Sequence, residues 1–81
     1  MNPRVTEVHY QSPHRLILTF TNKEVKEFDF SSYLDYPIYQ TLRDESYSQK
    51  AKVFNGTVMW DESTDFDPDT LYLESKTLPL A

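Results

Sequence analysis

Five of the nine residues from Asp61 to Asp69 are acidic, and Asp65, Asp67 and Asp69 alternate in a way that invites a hard cation. Calcium and magnesium want several carboxylate oxygens converging on one point. An EF-hand loop starting at Asp65 needs glycine at its sixth position and a bidentate acid at its twelfth, where Thr70 and Lys76 stand. No metal is expected there, and the carboxylates read as cap and turn residues. Paired carboxylates also perform general acid and base work, but that requires a pocket and shifted pKa values, which a chain of 81 residues has little core to build. His9 and His14 fall at a strand end and in a turn, away from any serine in a nucleophile motif. No catalytic residue and no cofactor is expected.

The acidic run carries the whole charge surplus. Residues 1–30 hold four charges of each sign and residues 31–60 three of each, so the net charge of −5 comes from 61–81. Scattered Lys and Arg on an acidic chain argue against direct gripping of a nucleic-acid backbone, which needs clustered cations. A basic protein partner suits the pattern better. Trp60, Asp61, Asp65, Asp67 and Tyr72 are the candidate partner-binding residues, read as an indole lid on the core with a rim of carboxylates and a phenol beside it. Such a platform favours fast, salt-sensitive encounter.

The elements that must hold this platform follow from periodicity. Arg15 to Thr21 alternates, with Leu16, Leu18 and Phe20 on one face, and predicts a strand. Val5 to Tyr10 is β-prone and ends in Gln11-Ser12-Pro13-His14, which allows an antiparallel return. Glu24 to Phe30 gives a third strand of a meander, although Val25 falls on the opposite face from Phe28 and Phe30 and implies a bulge or a partly covered second face. Ser31 and Ser32 as caps, Pro37 at a first turn and Ile38 with Leu42 at i and i+4 predict one short helix over 37–46, with Tyr39 bordering the core.

Asn55-Gly56 between Lys52-Val53-Phe54 and Thr57-Val58-Met59-Trp60 predicts a hairpin closed by a type I′ turn. Asp67-Pro68-Asp69-Thr70 then predicts a single helical turn across 68–73, with extended structure over 71–73 as the competitor. Asp61 to Thr64 reads as a solvated link, and the tail from Lys76 to Ala81 is expected to fray. The fold class is therefore α+β: a three-stranded antiparallel meander, one short helix, a β-hairpin and a short C-terminal helical turn, in one small domain spanning 1–81. With no cysteine and no Cys/His ligand cluster, its stability must come from packing or association. No run of apolar residues is long enough to span a membrane and no secretory pattern opens the chain, so a cytoplasmic protein is expected.

The segment Trp60, Asp65, Asp67, Pro68, Asp69, Leu71, Tyr72 and Ser75 resembles the closing motif of the bacterial domain-of-unknown-function family numbered 2442. Pro3, Val8, Leu16-Ile17-Leu18-Thr19-Phe20, Phe28-Asp29 and Leu42 also fall where that family's pattern places them, so the resemblance covers nearly the whole chain. Asn22-Lys23-Glu24 departs from it, since many members have a glycine-containing turn there. The resemblance implies a compact α+β unit, found alone or joined to a helix-turn-helix domain, with genes often beside those of another uncharacterised family, numbered 4160. That neighbourhood implies a two-protein module of toxin and antitoxin type, and it transfers no catalytic residue. The function expected is a non-enzymatic interaction or accessory domain whose partner is the product of a neighbouring gene. A homo-oligomeric structural module is the first alternative and a small-ligand binder or enzyme the second.

Overall fold

Alternation sets the first sheet as the sequence predicts. In the computed structural model, which describes residues 2–78, strands β1 (Val5–Gln11), β2 (Arg15–Phe20) and β3 (Val25–Asp29) form an antiparallel meander. Leu16, Leu18 and Phe20 point into the core and are fully buried or nearly so. β1 carries a bulge between Val5 and Glu7, whereas the β2–β3 register runs without interruption. The irregular look of β3 thus has another cause. Its core-facing row is Lys26, Phe28 and then Phe30, and a lysine in that row hides the alternation.

Lys26 is only 8% exposed, and it stays buried because its charge has work to do at a helix end. Helix α2 (Pro68–Glu74) leaves its last carbonyls without intrahelical partners, and Lys26 Nζ donates to Tyr72 O at 2.7 Å. The cation also lies 3.9 Å from the centre of the Tyr72 ring. At the other end, Asp67 caps α2 by accepting from Thr70 N at 3.1 Å, and Pro68 occupies the first turn, as its sequence predicts.

Between β3 and the second sheet the chain departs from expectation. Instead of one helix over 37–46 it forms two 3₁₀ helices, Ser31–Asp35 and Pro37–Arg43, then a short α1 (Glu45–Ser48). Tyr36 and Asp44 adopt extended backbone with ψ 136 and ψ 113, which breaks the segment at both places. Asp44 turns its carboxylate to Ser46 N at 3.0 Å, so a residue inside the helix expected over 37–46 instead starts a new one. Ser31 and Ser32 make no cap; Phe30 stands at that position without a side-chain bond.

The second sheet contains β4 (Lys52–Phe54), β5 (Thr57–Asp61) and β6 (Thr64–Asp65), in that order. Asn55 at φ 51 and Gly56 at φ 79 give the paired left-handed conformations that a type I′ turn demands. Gly56 has a second constraint, because an added Cβ would lie 2.9 Å from Arg4 Cβ. The solvated link expected over 61–64 is a tight turn joining β5 to β6, with Asp61 paired to Thr64. The tail is likewise more ordered than expected, since β7 (Lys76–Thr77) adds to β3 and Leu78 N donates to Val25 O at 3.0 Å. The expectation for residues 79–81 lies outside the described residues.

The turn at Asn22-Lys23 is also resolved. Lys23 N donates to Phe20 O at 2.8 Å and Phe20 N to Glu24 O at 2.9 Å, with Lys23 at φ 72: a three-residue hairpin loop whose last residue is left-handed. Glycine adopts that conformation without the steric cost a lysine bears. Lys23→Gly is expected to raise stability by roughly 1 kcal/mol, read from urea unfolding. Gly56→Val, strained in both dihedral and space, is expected to lower it by about 2 kcal/mol or more. Lys26→Met, which keeps the stem and removes the charge-assisted bond, is expected to cost roughly 2 kcal/mol.

Candidate functional site

The carboxylates of residues 61–69 point outward because their neighbours are needed inside. Thr64 and Phe66 are buried, and strand-like alternation then exposes Asp65 and Asp67. Phe66 is the ring that the sequence reading missed. It stacks on Tyr39 at 4.7 Å and meets Phe28, Tyr33 and Trp60 edge-on at 5.1, 5.2 and 5.8 Å. The signal was present in the burial alternation of 64–67, but a β6 of two residues is too short for periodicity to show it.

Trp60 is buried in β5, and its indole Nε1 donates to Ser48 O at 2.9 Å while its ring packs on Phe30 and Phe66. Its partners are all internal. Tyr72 shares none of Trp60's ring contacts: its ring meets Phe20 edge-on at 5.0 Å, and its hydroxyl donates to Glu24 Oε1 at 2.6 Å. Trp60 and Tyr72 therefore contact different parts of the core. Asp61, by contrast, is exposed and closely held.

Asp61 accepts from the Tyr47 hydroxyl, from Ser63 N at 2.8 Å and from Ser63 Oγ at 2.9 Å. These donors stabilise the anion, the Tyr47 hydroxyl most, and bring its pKa down from 3.8 to about 2. The same motif recurs across the molecule. Tyr10 donates to Glu45, Tyr33 to Glu74, Tyr47 to Asp61 and Tyr72 to Glu24, so four of the six tyrosines fix a carboxylate. Tyr33 is pushed up to about 12, first by burial and then by the Glu74 bond. The fifth, Tyr39, donates to the Asp65 backbone carbonyl at 3.2 Å.

This leaves a short group of carboxylates with no such tie. Asp67 is committed to the α2 cap, and Asp69 accepts from Asn2 Nδ2 at 3.4 Å. Among the described residues, the Glu62 and Asp65 side chains accept no hydrogen bond and are exposed, Glu62 in the β5–β6 turn and Asp65 in β6. Among the described residues no group of three or more His, Cys, Asp or Glu is arranged to hold a metal ion. No helix of the described residues is long and apolar enough to cross a membrane.

The Asp61 titration carries a test. A carboxyl whose folded pKa lies below its unfolded value contributes stability above the unfolded value, and loses it as pH falls through the folded one. The Asp61 contribution is therefore present above about pH 4 and lost toward pH 2. Tyr47→Phe removes the largest cause, so the Asp61 carboxyl titration followed by carbon NMR is expected to move up toward 3.8 and the acid limb of stability to flatten. An unmoved midpoint would assign the shift to Ser63 and Thr64.

No curated protein and no solved structure matches the chain. The sequence model of one family, described as a protein of unknown function (DUF2442), matches residues 5–77. That match runs from the first residue of β1 to the last of β7, and so covers both sheets and the aromatic core between them. The chain belongs to the DUF2442 family.

Proposed function

We propose that this protein is a non-enzymatic protein-interaction domain, the accessory or neutralising half of a two-gene module, that recognises a basic partner through the β5–β6 turn. The single observation that carries this reading is the state of Glu62 and Asp65. Both are exposed and free of hydrogen bonds among the described residues, on a turn clamped by buried Trp60 at one end and buried Phe66 at the other. Carboxylates held by a rigid frame but not neutralised by it keep their charge for a partner. Asp61, Asp67 and Tyr72 act in this proposal through the frame: Asp61 shapes the turn, Asp67 starts α2 and Tyr72 anchors it.

The alternative of a homo-oligomeric module draws on Tyr36, Ile38, Phe54 and Leu73, large apolar side chains that are all more than half exposed. Light scattering separates the two, since only the oligomer gives a concentration-dependent mass.

The direct test is capture of the neighbouring gene product from native lysate. Glu62→Gln with Asp65→Asn removes two charges without touching the core. It is expected to weaken capture by tenfold or more and to flatten its salt dependence. Capture that is unchanged in affinity and in salt sensitivity would clear the turn of this role.

A further inference from the structure

Residues Pro37–Arg43 wind as 3₁₀ turns, and that geometry decides which side chains face out. Residues three apart eclipse in a 3₁₀ helix, whereas residues three and four apart share a face in an α-helix. Tyr39 and Leu42 therefore lie on the inner face, Leu42 fully buried and Tyr39 stacked on Phe66. Ile38, which an α-helix would set beside Leu42, is turned about 120° away and is 59% exposed. Tyr36 is 56% exposed, and Pro37 between them is exposed as well. Among the described residues, Tyr36-Pro37-Ile38 is the only run of three consecutive exposed apolar side chains.

The projection is held from both sides. Leu34 O accepts from Gln40 Nε2 at 3.1 Å and from Arg43 Nε at 3.2 Å, while Tyr36 N donates to Tyr33 O at 3.0 Å and Tyr39 N to Tyr36 O at 2.9 Å. The Tyr36 ring rests 6.0 Å from that of Tyr33, which in turn packs on Phe66. Tyr36 is also the exception among the six tyrosines. The other five hydroxyls each donate to a protein oxygen, whereas that of Tyr36 makes no hydrogen bond among the described residues. A rigid, exposed aromatic with an unspent donor has the chemistry of an interface anchor, since much of its ordering cost is met before binding.

We propose that Tyr36-Pro37-Ile38 is the anchor that a basic protein partner takes into an apolar pocket rimmed by Lys or Arg. This deepens the interaction reading above and rests on it for the charge of the partner. Position links the two: Tyr39, one 3₁₀ turn or about 6 Å on from Tyr36, donates its hydroxyl to Asp65 O at 3.2 Å, so the anchor lies beside β6. An interface of standard size, roughly 800 Å² a side, takes in both. Arg43 balances Asp35 at 3.5 Å, so the local surplus is that of Glu62 and Asp65. Charge then selects against a second copy. An isologous contact lays a patch on itself, which would bring Glu62 and Asp65 against their own equivalents on a chain of net charge −5. The same two acids favour Lys and Arg on the rim of a different protein.

The test places the photo-crosslinker p-benzoylphenylalanine at position 36 of the intact protein in its native cell and identifies the crosslinked chain and residue by mass spectrometry. One other protein is expected, basic at neutral pH and crosslinked beside a Lys or Arg; it is then purified as the probe. Tyr36→Ala and Ile38→Ser are each expected to weaken probe binding tenfold or more, chiefly through faster release, and to leave its salt dependence as in the parent. Tyr36→Phe, which keeps the ring, is expected to lose about threefold. Both truncated side chains are exposed, so these variants are expected to fold, as read by circular dichroism; if Tyr36→Ala unfolds, Ile38→Ser decides. Leu73→Ala, at a side chain 68% exposed on α2, is expected to bind like the parent. A crosslink to a second copy, to an acidic protein or to nothing, parent-like binding by the folded anchor variants, or an equal loss from Leu73→Ala would overturn the anchor. The Glu62→Gln, Asp65→Asn protein separates the two readings. Weakened binding in it with the anchor variants unaffected overturns the anchor and spares the acidic turn, and the reverse pattern overturns the turn and spares the anchor.

Discussion

The rest of the structure depends on the burial of Phe66. In a chain of 81 residues with no cysteine, the core must tie two small sheets together by packing alone. Phe66 does so from the end of β6. It touches Phe28 and Phe30 at the end of the first sheet, Tyr33 and Tyr39 of the two 3₁₀ helices, and Trp60 of the second sheet. Edge-to-face and stacked rings add to the area they bury. The same constraint places the acids. With Thr64 and Phe66 inward, Asp65 and Asp67 have nowhere to go but solvent.

Charge and aromatic content, which look like separate features in the composition, are coupled in the fold. Phenol rings supply core surface and their hydroxyls end at the boundary with water, where a carboxylate can accept them. Tyr33 and Glu74 lie 41 residues apart, Tyr72 and Glu24 48 apart, and Tyr10 and Glu45 35 apart, so each bond fastens distant pieces of chain. These bonds leave the carboxylates ionised and fix where their charges sit. Within the run from 61 to 69, Glu62 and Asp65 are the carboxylates without such a fastening among the described residues.

The legible parts of the sequence were those governed by local chemistry. The meander, the Asn55-Gly56 turn and the Asp67-Pro68 cap each follow from a period or a required dihedral within a few residues. The parts that were not legible depend on distant partners. Lys26 spoils the alternation of β3 because its partner is a carbonyl 46 residues away, and no local pattern announces it. The helix expected over 37–46 breaks because Tyr33 and Tyr39 must both reach Phe66, which favours tight 3₁₀ turns over a straight α-helix. β7 is two residues of an unremarkable tail that become a strand only because β3 has a free edge. For the site, tertiary contacts sort the five candidates: Trp60, Asp61, Asp67 and Tyr72 are held by side-chain hydrogen bonds, and the Asp65 carboxylate is not.

Free strand edges are a hazard, since an exposed ladder recruits other chains without discrimination. Here the outer edges are reduced to β6 and β7, too short to template much. The two longer free edges, β1 and β4, face one another instead of solvent and are pinned at one end by the Val5–Gly56 bond. The closeness of the two edges hinders edge-to-edge pairing with another molecule, so β1 need not be blunted by proline or inward charge.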